Sequence, residues 1–355
     1  MKKELLMGTA LVSTLGAASV AEAVTATMSG NHKVGIEVES PDSGGDQKKQ
    51  LNDNNFSVSL SETTDAGVTI SSSFSIVNEA TASSSVGASD MDAGLSLAFT
   101  DGSKLDLINA GNASGTHDIS IPGSAGSEGI TATTANKAPT GLDFATGSTV
   151  YGIEYHTAAD FLVDGLKMSV SASTDNSVAT GATWKNDGHI AVGATYVTDF
   201  GDTAVTIGAG YSETEGGLNG TTPTTEESSI HFGISAVTGD LTVAVGFADG
   251  DDITTGSGTT ANVEMDAEVV KAGIKYVSGD LTFNLGIVDG EGTDNAFGST
   301  GGSADSMNKA SASVSYAVAS GVTAILGYSN SDSQNEGASD DKDGSAWYIG
   351  ANMSF

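Results

Sequence analysis

Apolar side chains recur at every second position along most of this chain. Met91, Ala93, Leu95, Leu97 and Phe99 alternate with Asp92, Gly94, Ser96, Ala98 and Thr100. The same alternation runs through Val68/Ile70/Phe74/Ile76, Ile190/Val192/Ala194/Tyr196, Val205/Ile207/Ala209/Tyr211, Leu241/Val243/Val245/Phe247, Leu281/Phe283/Leu285/Ile287 and Trp347/Ile349/Ala351/Met353/Phe355. A period of two is that of a β-strand with one apolar and one polar or small face. Sixteen such segments fill the chain from Val24 to Phe355, the fainter ones at 24–39, 54–63, 103–109 and 322–330.

The connections alternate in length. Short ones fall at Asp65-Ala66-Gly67, Asp101-Gly102, Asp199 to Asp202, Gly239-Asp240, Gly279-Asp280 and Ser320-Gly321, where Gly or Asp supplies the positive φ of a tight hairpin. Long ones, rich in Ser, Thr, Gly, Asp and Asn, cover 40–53, 78–90, 110–148, 175–187, 214–227, 249–265, 289–308 and 331–344. Strands joined by short turns at one rim and long loops at the other predict an all-β fold, a sixteen-stranded antiparallel transmembrane β-barrel. Its short turns and both termini face the periplasm, and its long loops face the outside.

Composition fits that expectation. Met1-Lys2-Lys3, an apolar run from Leu5 to Val20 and Ala21-Glu22-Ala23 read as a signal peptide cleaved after residue 23, leaving 24–355 as one barrel domain. There is no cysteine, so closed strand pairing rather than disulfides must hold the exported chain. At 38% apolar residues the chain is poor for a soluble domain, whereas a barrel needs apolar residues on one face only. Tyr155, Tyr196, Tyr211, Tyr276, Tyr328 and Trp347, near strand ends, suit interfacial girdles. The net charge is −32 with no arginine, which excludes nucleic acid as a partner and predicts a negative mouth that attracts cations.

With these features, the outsized 110–148 loop and the terminal Phe355, the chain resembles general-diffusion porins of the Gram-negative outer membrane. It is most similar to the alphaproteobacterial porin family in Val24-Thr25-Ala26-Thr27-Met28-Ser29-Gly30, in Ser96-Leu97-Ala98-Phe99-Thr100-Asp101-Gly102-Ser103-Lys104-Leu105 and in the closing Trp347 to Phe355. The resemblance implies a homotrimer in outer-membrane lipid and an inner loop, residues 110–148, folded back to constrict the pore. It also implies a C-terminal strand, ending in Phe355, read by the outer-membrane assembly machinery. The function it implies is passive diffusion of small hydrophilic solutes and ions, with no enzymatic activity.

Members of the family commonly set arginines on the wall against carboxylates on the inner loop. Lysine must take that role here, as a point charge without arginine's planar fork. Strand parity directs Lys33, Lys104, Lys167, Lys271, Lys275 and Lys309 into the lumen, and the inner-loop carboxylates are Asp118, Glu128 and Asp143. Parity also puts His156, His189 and His231 on lumen faces of separate strands, where water-exposed, unspecialised roles are expected.

No nucleophile and base are grouped for hydrolysis, and no cofactor is implied. Asp340, Asp341 and Asp343, with Asp249, Asp251 and Asp252, have the oxygen density that Ca²⁺ favours without the twelve-residue loop that a helix-flanked site uses. Two other functions compete. An exported adhesin or structural solenoid would show a fixed-length repeat, and none is found. A solute-specific barrel channel would carry inward aromatics, and parity gives few.

Overall fold

In the computed structural model the described residues are 24–41, 45–79, 94–107, 112–123, 152–173, 188–214, 218–219, 222–223, 225–254, 263–292, 305–334 and 343–355. The leader segment 1–23 lies outside them, as do Glu128, Asp143, Asp340 and Asp341.

The described residues form eighteen strands and one short helix: β1 (Thr25–Pro41), β2 (Gln47–Thr63), β3 (Thr69–Glu79), β4 (Leu95–Ala98), β5 (Lys104–Leu107), α1 (Ala113–Thr116), β6 (Ile153–His156), β7 (Leu166–Ser173), β8 (His189–Phe200), β9 (Thr203–Thr214), β10 (Leu218–Asn219), β11 (Thr222–Pro223), β12 (Thr225–Thr238), β13 (Leu241–Thr254), β14 (Val263–Ser278), β15 (Leu281–Gly292), β16 (Asp305–Ala319), β17 (Val322–Gln334) and β18 (Gly344–Ser354). Sixteen strands pair antiparallel with their chain neighbours in one closed barrel, and β10 and β11 form a separate hairpin. The barrel closes between β1 and β18, in a register running from Asn31 opposite Ser354 to Pro41 opposite Gly344. Closure leaves no strand edge unpaired in a solvent that offers the backbone no hydrogen bonds.

The six tight turns are where the sequence puts them. Their glycines take left-handed φ values, from +55° at Gly239 to +86° at Gly102, the conformation that lets a two-residue hairpin match the twist of its strands. A seventh turn, residues 157–165, joins β6 to β7 and exposes Phe161, Leu162 and Val163.

The period-two residues face out. Ile190 and Val192 of β8, Ile230 and Phe232 of β12, Leu285 and Ile287 of β15, and Trp347 and Ile349 of β18 are all exposed. An apolar belt of this extent is the surface of a protein solvated by lipid. Tyr155, Tyr196, Tyr211, Tyr276 and Trp347 belong to the same outward set, and Tyr328 packs against Trp347 with ring centroids 4.6 Å apart and planes tilted by 50°.

The long loops are shorter than their composition suggests. β1 continues to Pro41 and β2 starts at Gln47; β13 runs to Thr254, β15 to Gly292 and β17 to Gln334. Asp249, Asp251, Asp252, Asp289 and Glu291 therefore sit on strands, not in loops. Above the lipid both strand faces meet water, so backbone pairing continues where the apolar signal has ended.

Candidate pore constriction

Cross-strand partners share a face, so the register identifies the residues that line the lumen. Lys33 lies on the inward face of β1 with Glu37 and Glu39, and Lys104 on that of β5 with Asp106. Lys104 pairs with His156, Lys167 with Thr195, Lys271 with Val288, Lys275 with Asn284 and Lys309 with Ser331, all in the inward set.

The inner loop lies against this face. Residues 112–123 run across the wall from β7 to β15. The Asn112 side chain caps α1 by accepting from Ser114 N at 2.9 Å. Ala113 N donates to Ser171 Oγ at 2.9 Å, and Thr116 Oγ1 donates to Glu154 Oε1 at 2.7 Å. His231 Nε2 donates to the Ser114 carbonyl at 2.9 Å. His117 is held on both ring nitrogens, by Thr195 Oγ1 at 2.6 Å and Ser169 Oγ at 2.8 Å.

What lets the loop come this close is a band of inward glycines on successive strands. A Cβ at Gly193 would overlap the Ala113 carbonyl, at Gly208 the His117 carbonyl, at Gly210 the His231 ring and Ser114, at Gly233 the Ile119 side chain, at Gly273 the Pro122 carbonyl, and at Gly286 the Gly123 backbone. These residues adjoin across the register, with Gly193 opposite Gly210, Gly208 opposite Gly233 and Gly273 opposite Gly286. Ile119 and Ile121 pack against Ala244 in the same band, burying apolar area on an otherwise polar wall.

The loop changes the standing of the histidines. His156, His189 and His231 face inward but are 5%, 3% and 1% exposed, so the water-exposed role expected of them is corrected. His156 and His231 lie where the loop docks. His189 Nδ1 meets Thr214 Oγ1 at 3.0 Å. His117 has its pKa lowered to about 4, first by burial and then by Lys167, His156 and His231, so the docked loop carries it neutral.

Charges along the wall are matched locally. Lys49 Nζ bonds Glu39 Oε2 at 2.7 Å, and Lys104 Nζ meets Asp106 Oδ2 at 2.8 Å. Lys271 faces Asp118 of the loop, and Lys309 faces Glu37. Of the three inner-loop carboxylates, Asp118 is the one among the described residues, and its charge acts on Lys271. Glu37, Glu39, Asp106 and Glu154 were not singled out from the sequence, although the parity that selects Lys33 and Lys104 selects Glu37, Glu39 and Asp106 too.

Among the described residues, the group of side chains close enough to share a cation is Asp106, Glu154 and His156. Tyr348 is the inward aromatic of the described strands. It is buried against Gly35 and Gly350, not presented to the lumen.

Residues 8–336 match a family model described as Gram-negative porin. The chain belongs to the Gram-negative porin family. With its closed barrel, this places the porin in the bacterial outer membrane as a channel for solute diffusion. Solved structures share the fold at low identity. A porin refined at 1.8 Å resolution matches with a TM-score of 0.61 and 18% identity, over 93% of this chain and 100% of that one. The anion-selective porin of Comamonas acidovorans matches with a TM-score of 0.64 and 11% identity, over 94% and 100%. The trimer form of OmpT, an outer-membrane protein of Vibrio cholerae, matches with a TM-score of 0.60 and 13% identity, over 93% and 99%. No curated protein matches the sequence.

Proposed function

We propose that this porin is a homotrimeric, cation-preferring channel for passive diffusion of small hydrophilic solutes and ions, that residues 110–148 narrow its lumen, and that it performs no catalysis. Residues 1–23 direct export and are removed. The observation that supports the selectivity is the local balance of wall charges: Lys49 and Lys104 form ion pairs with Glu39 and Asp106, and Lys271 and Lys309 lie in the fields of Asp118 and Glu37, so the wall contributes little net field. The acidic surplus is then felt at the mouth, because residues 24–355 hold 43 acidic against 11 basic residues. That one similar structure is an anion-selective porin describes that protein, and it makes the sign of the selectivity the point to test.

Swelling of liposomes containing the purified protein in sugars of graded size reports diffusion, and the reversal potential in a KCl gradient reports its sign. Cation preference is expected; anion preference would mean that the lumen lysines, rather than the acidic mouth, control the pore. Exposed charges are screened over ~10 Å at 0.1 M salt and ~3 Å at 1 M. Joint neutralisation of Asp118, Glu128 and Asp143 is therefore expected to lower selectivity at 1 M more than neutralisation of Asp340, Asp341 and Asp343.

The C-terminal strand supports a role in assembly. In the closed barrel Phe355 exchanges backbone hydrogen bonds with Gly30, each 3.1 Å, and its ring lies 6.5 Å from that of Phe56. Before closure the same strand is a free edge, open to β-augmentation by the assembly machinery. Deleting Phe355 is expected to lower the yield of heat-modifiable barrel in cells while sparing detergent refolding; equal yields in cells would contradict the signal role.

A further inference from the structure

Where β5 meets β6, the lumen wall carries a compact set of ligand-bearing side chains. Asp106 lies opposite Glu154 and Lys104 opposite His156, so the four occupy adjacent positions on one face. His156 Nε2 lies 2.9 Å from Asp106 Oδ2, and His156 Nδ1 lies 3.7 Å from Glu154 Oε1. One ligand atom from each of Asp106, Glu154 and His156 falls within 4.8 Å of the other two. His156 and Glu154 are 5% and 2% exposed. Asp106 lines an open cleft of about 360 Å³ with Ser59, Ser71, Ser73, Ser96 and Lys104, which gives an ion in the lumen a route to the site.

We propose that Asp106, Glu154 and His156 bind a divalent first-row transition cation, Zn²⁺ being the type case, on the inner wall of the channel. One imidazole and two carboxylates form a donor set suited to these ions, and three protein ligands leave a position open to water. The surroundings orient the ligands. Ser169 Oγ lies 2.9 Å from His156 Nδ1, Ser96 Oγ donates to Asp106 Oδ1 at 2.6 Å, and Thr116 Oγ1 of the inner loop donates to Glu154 Oε1 at 2.7 Å. A cation already sits here: the Lys104 ammonium lies 2.8 Å from the same Asp106 oxygen that faces His156. The Lys104 side chain is 44% exposed, so it swings into the lumen when a metal takes its place. In the metal-bound site Nε2 takes the metal and Nδ1 carries the ring proton beside Ser169 Oγ.

Isothermal titration of ZnCl₂ into the refolded protein, without a polyhistidine tag, tests the assignment, with bilayer current in the same Zn²⁺ range as a second readout. Near one equivalent per chain is expected, together with a fall in conductance that excess Mg²⁺ does not reproduce. His156→Gln is expected to weaken binding at least about tenfold. Lys104→Met is expected to tighten it, and a misfolded barrel would not produce that gain. Heat-modifiable migration confirms the fold of each variant. Absence of Zn²⁺ binding, or binding that neither His156→Gln nor Lys104→Met alters, would overturn the proposal and leave Lys104 as the cation this cluster holds.

Discussion

Replacing Gly273 with valine is expected to lift the inner loop from the wall and raise single-channel conductance while the barrel persists. The new Cβ would overlap the Pro122 carbonyl, which is backbone and cannot rotate away as a side-chain tip would. Overpacking of this kind costs about 1–3 kcal/mol, which raises the undocked population by about 5- to 150-fold. The strand itself tolerates the change, because valine suits β-structure better than glycine does and its outward neighbours Ala272 and Ile274 are unaffected. Gly286→Val is expected to act in the same direction through the Gly123 backbone. Unchanged conductance in both variants, with heat-modifiable migration intact, would show that residues 112–123 do not set the width of the pore.

Docking of the loop is expected to weaken as the pH falls from about 6.5 to 4. The docked state depresses the His117 pKa to about 4 from an ordinary 6.5, chiefly by burial, so docking favours the neutral ring. Stability from this source is fully present above the undocked pKa and is lost as the pH falls to the docked one, a difference of roughly 3 kcal/mol. The bonding explains why the neutral ring fits. His117 Nδ1 lies 2.6 Å from Thr195 Oγ1 and Nε2 lies 2.8 Å from Ser169 Oγ, hydroxyls that can each donate or accept and so satisfy a neutral ring. A charged His117 would sit buried beside Lys167. Amide hydrogen exchange at residues 113–118, corrected for the intrinsic pH dependence, should speed up across this range. In His117→Gln docking is weaker at neutral pH and the pH dependence vanishes. A dependence that survives the substitution would show that His117 is not its source.

The barrel was legible in the sequence because lipid imposes a rule on every second residue. Ile190/Val192/Ala194/Tyr196 shows β8 without reference to any other strand, and Gly279-Asp280 marks the β14–β15 hairpin by the φ that turn requires. The lumen was legible only as parity. Lys104 and His156 were assigned to one face each, but their adjacency depends on the β5–β6 register, which the long 110–148 connection hides from the sequence. The band of glycines was hidden for the same reason. Gly208, Gly233, Gly273 and Gly286 each read as a small residue on a polar face, and only pairing through the register makes them one surface for Ile119, Pro122 and Gly123. The ends of β13 and β15 escaped because polar residues on both faces erase the period, so Asp249 and Asp289 read as loop.

Single-channel recording across a planar bilayer bears most directly on the central claim, that the closed barrel is a water-filled pore open to small ions. Purified protein added to one side is expected to insert in discrete conductance steps that scale with the bulk conductivity of KCl. A protein that folds as a heat-modifiable barrel yet yields no steps, or steps that saturate and are blocked by a single solute, would contradict it.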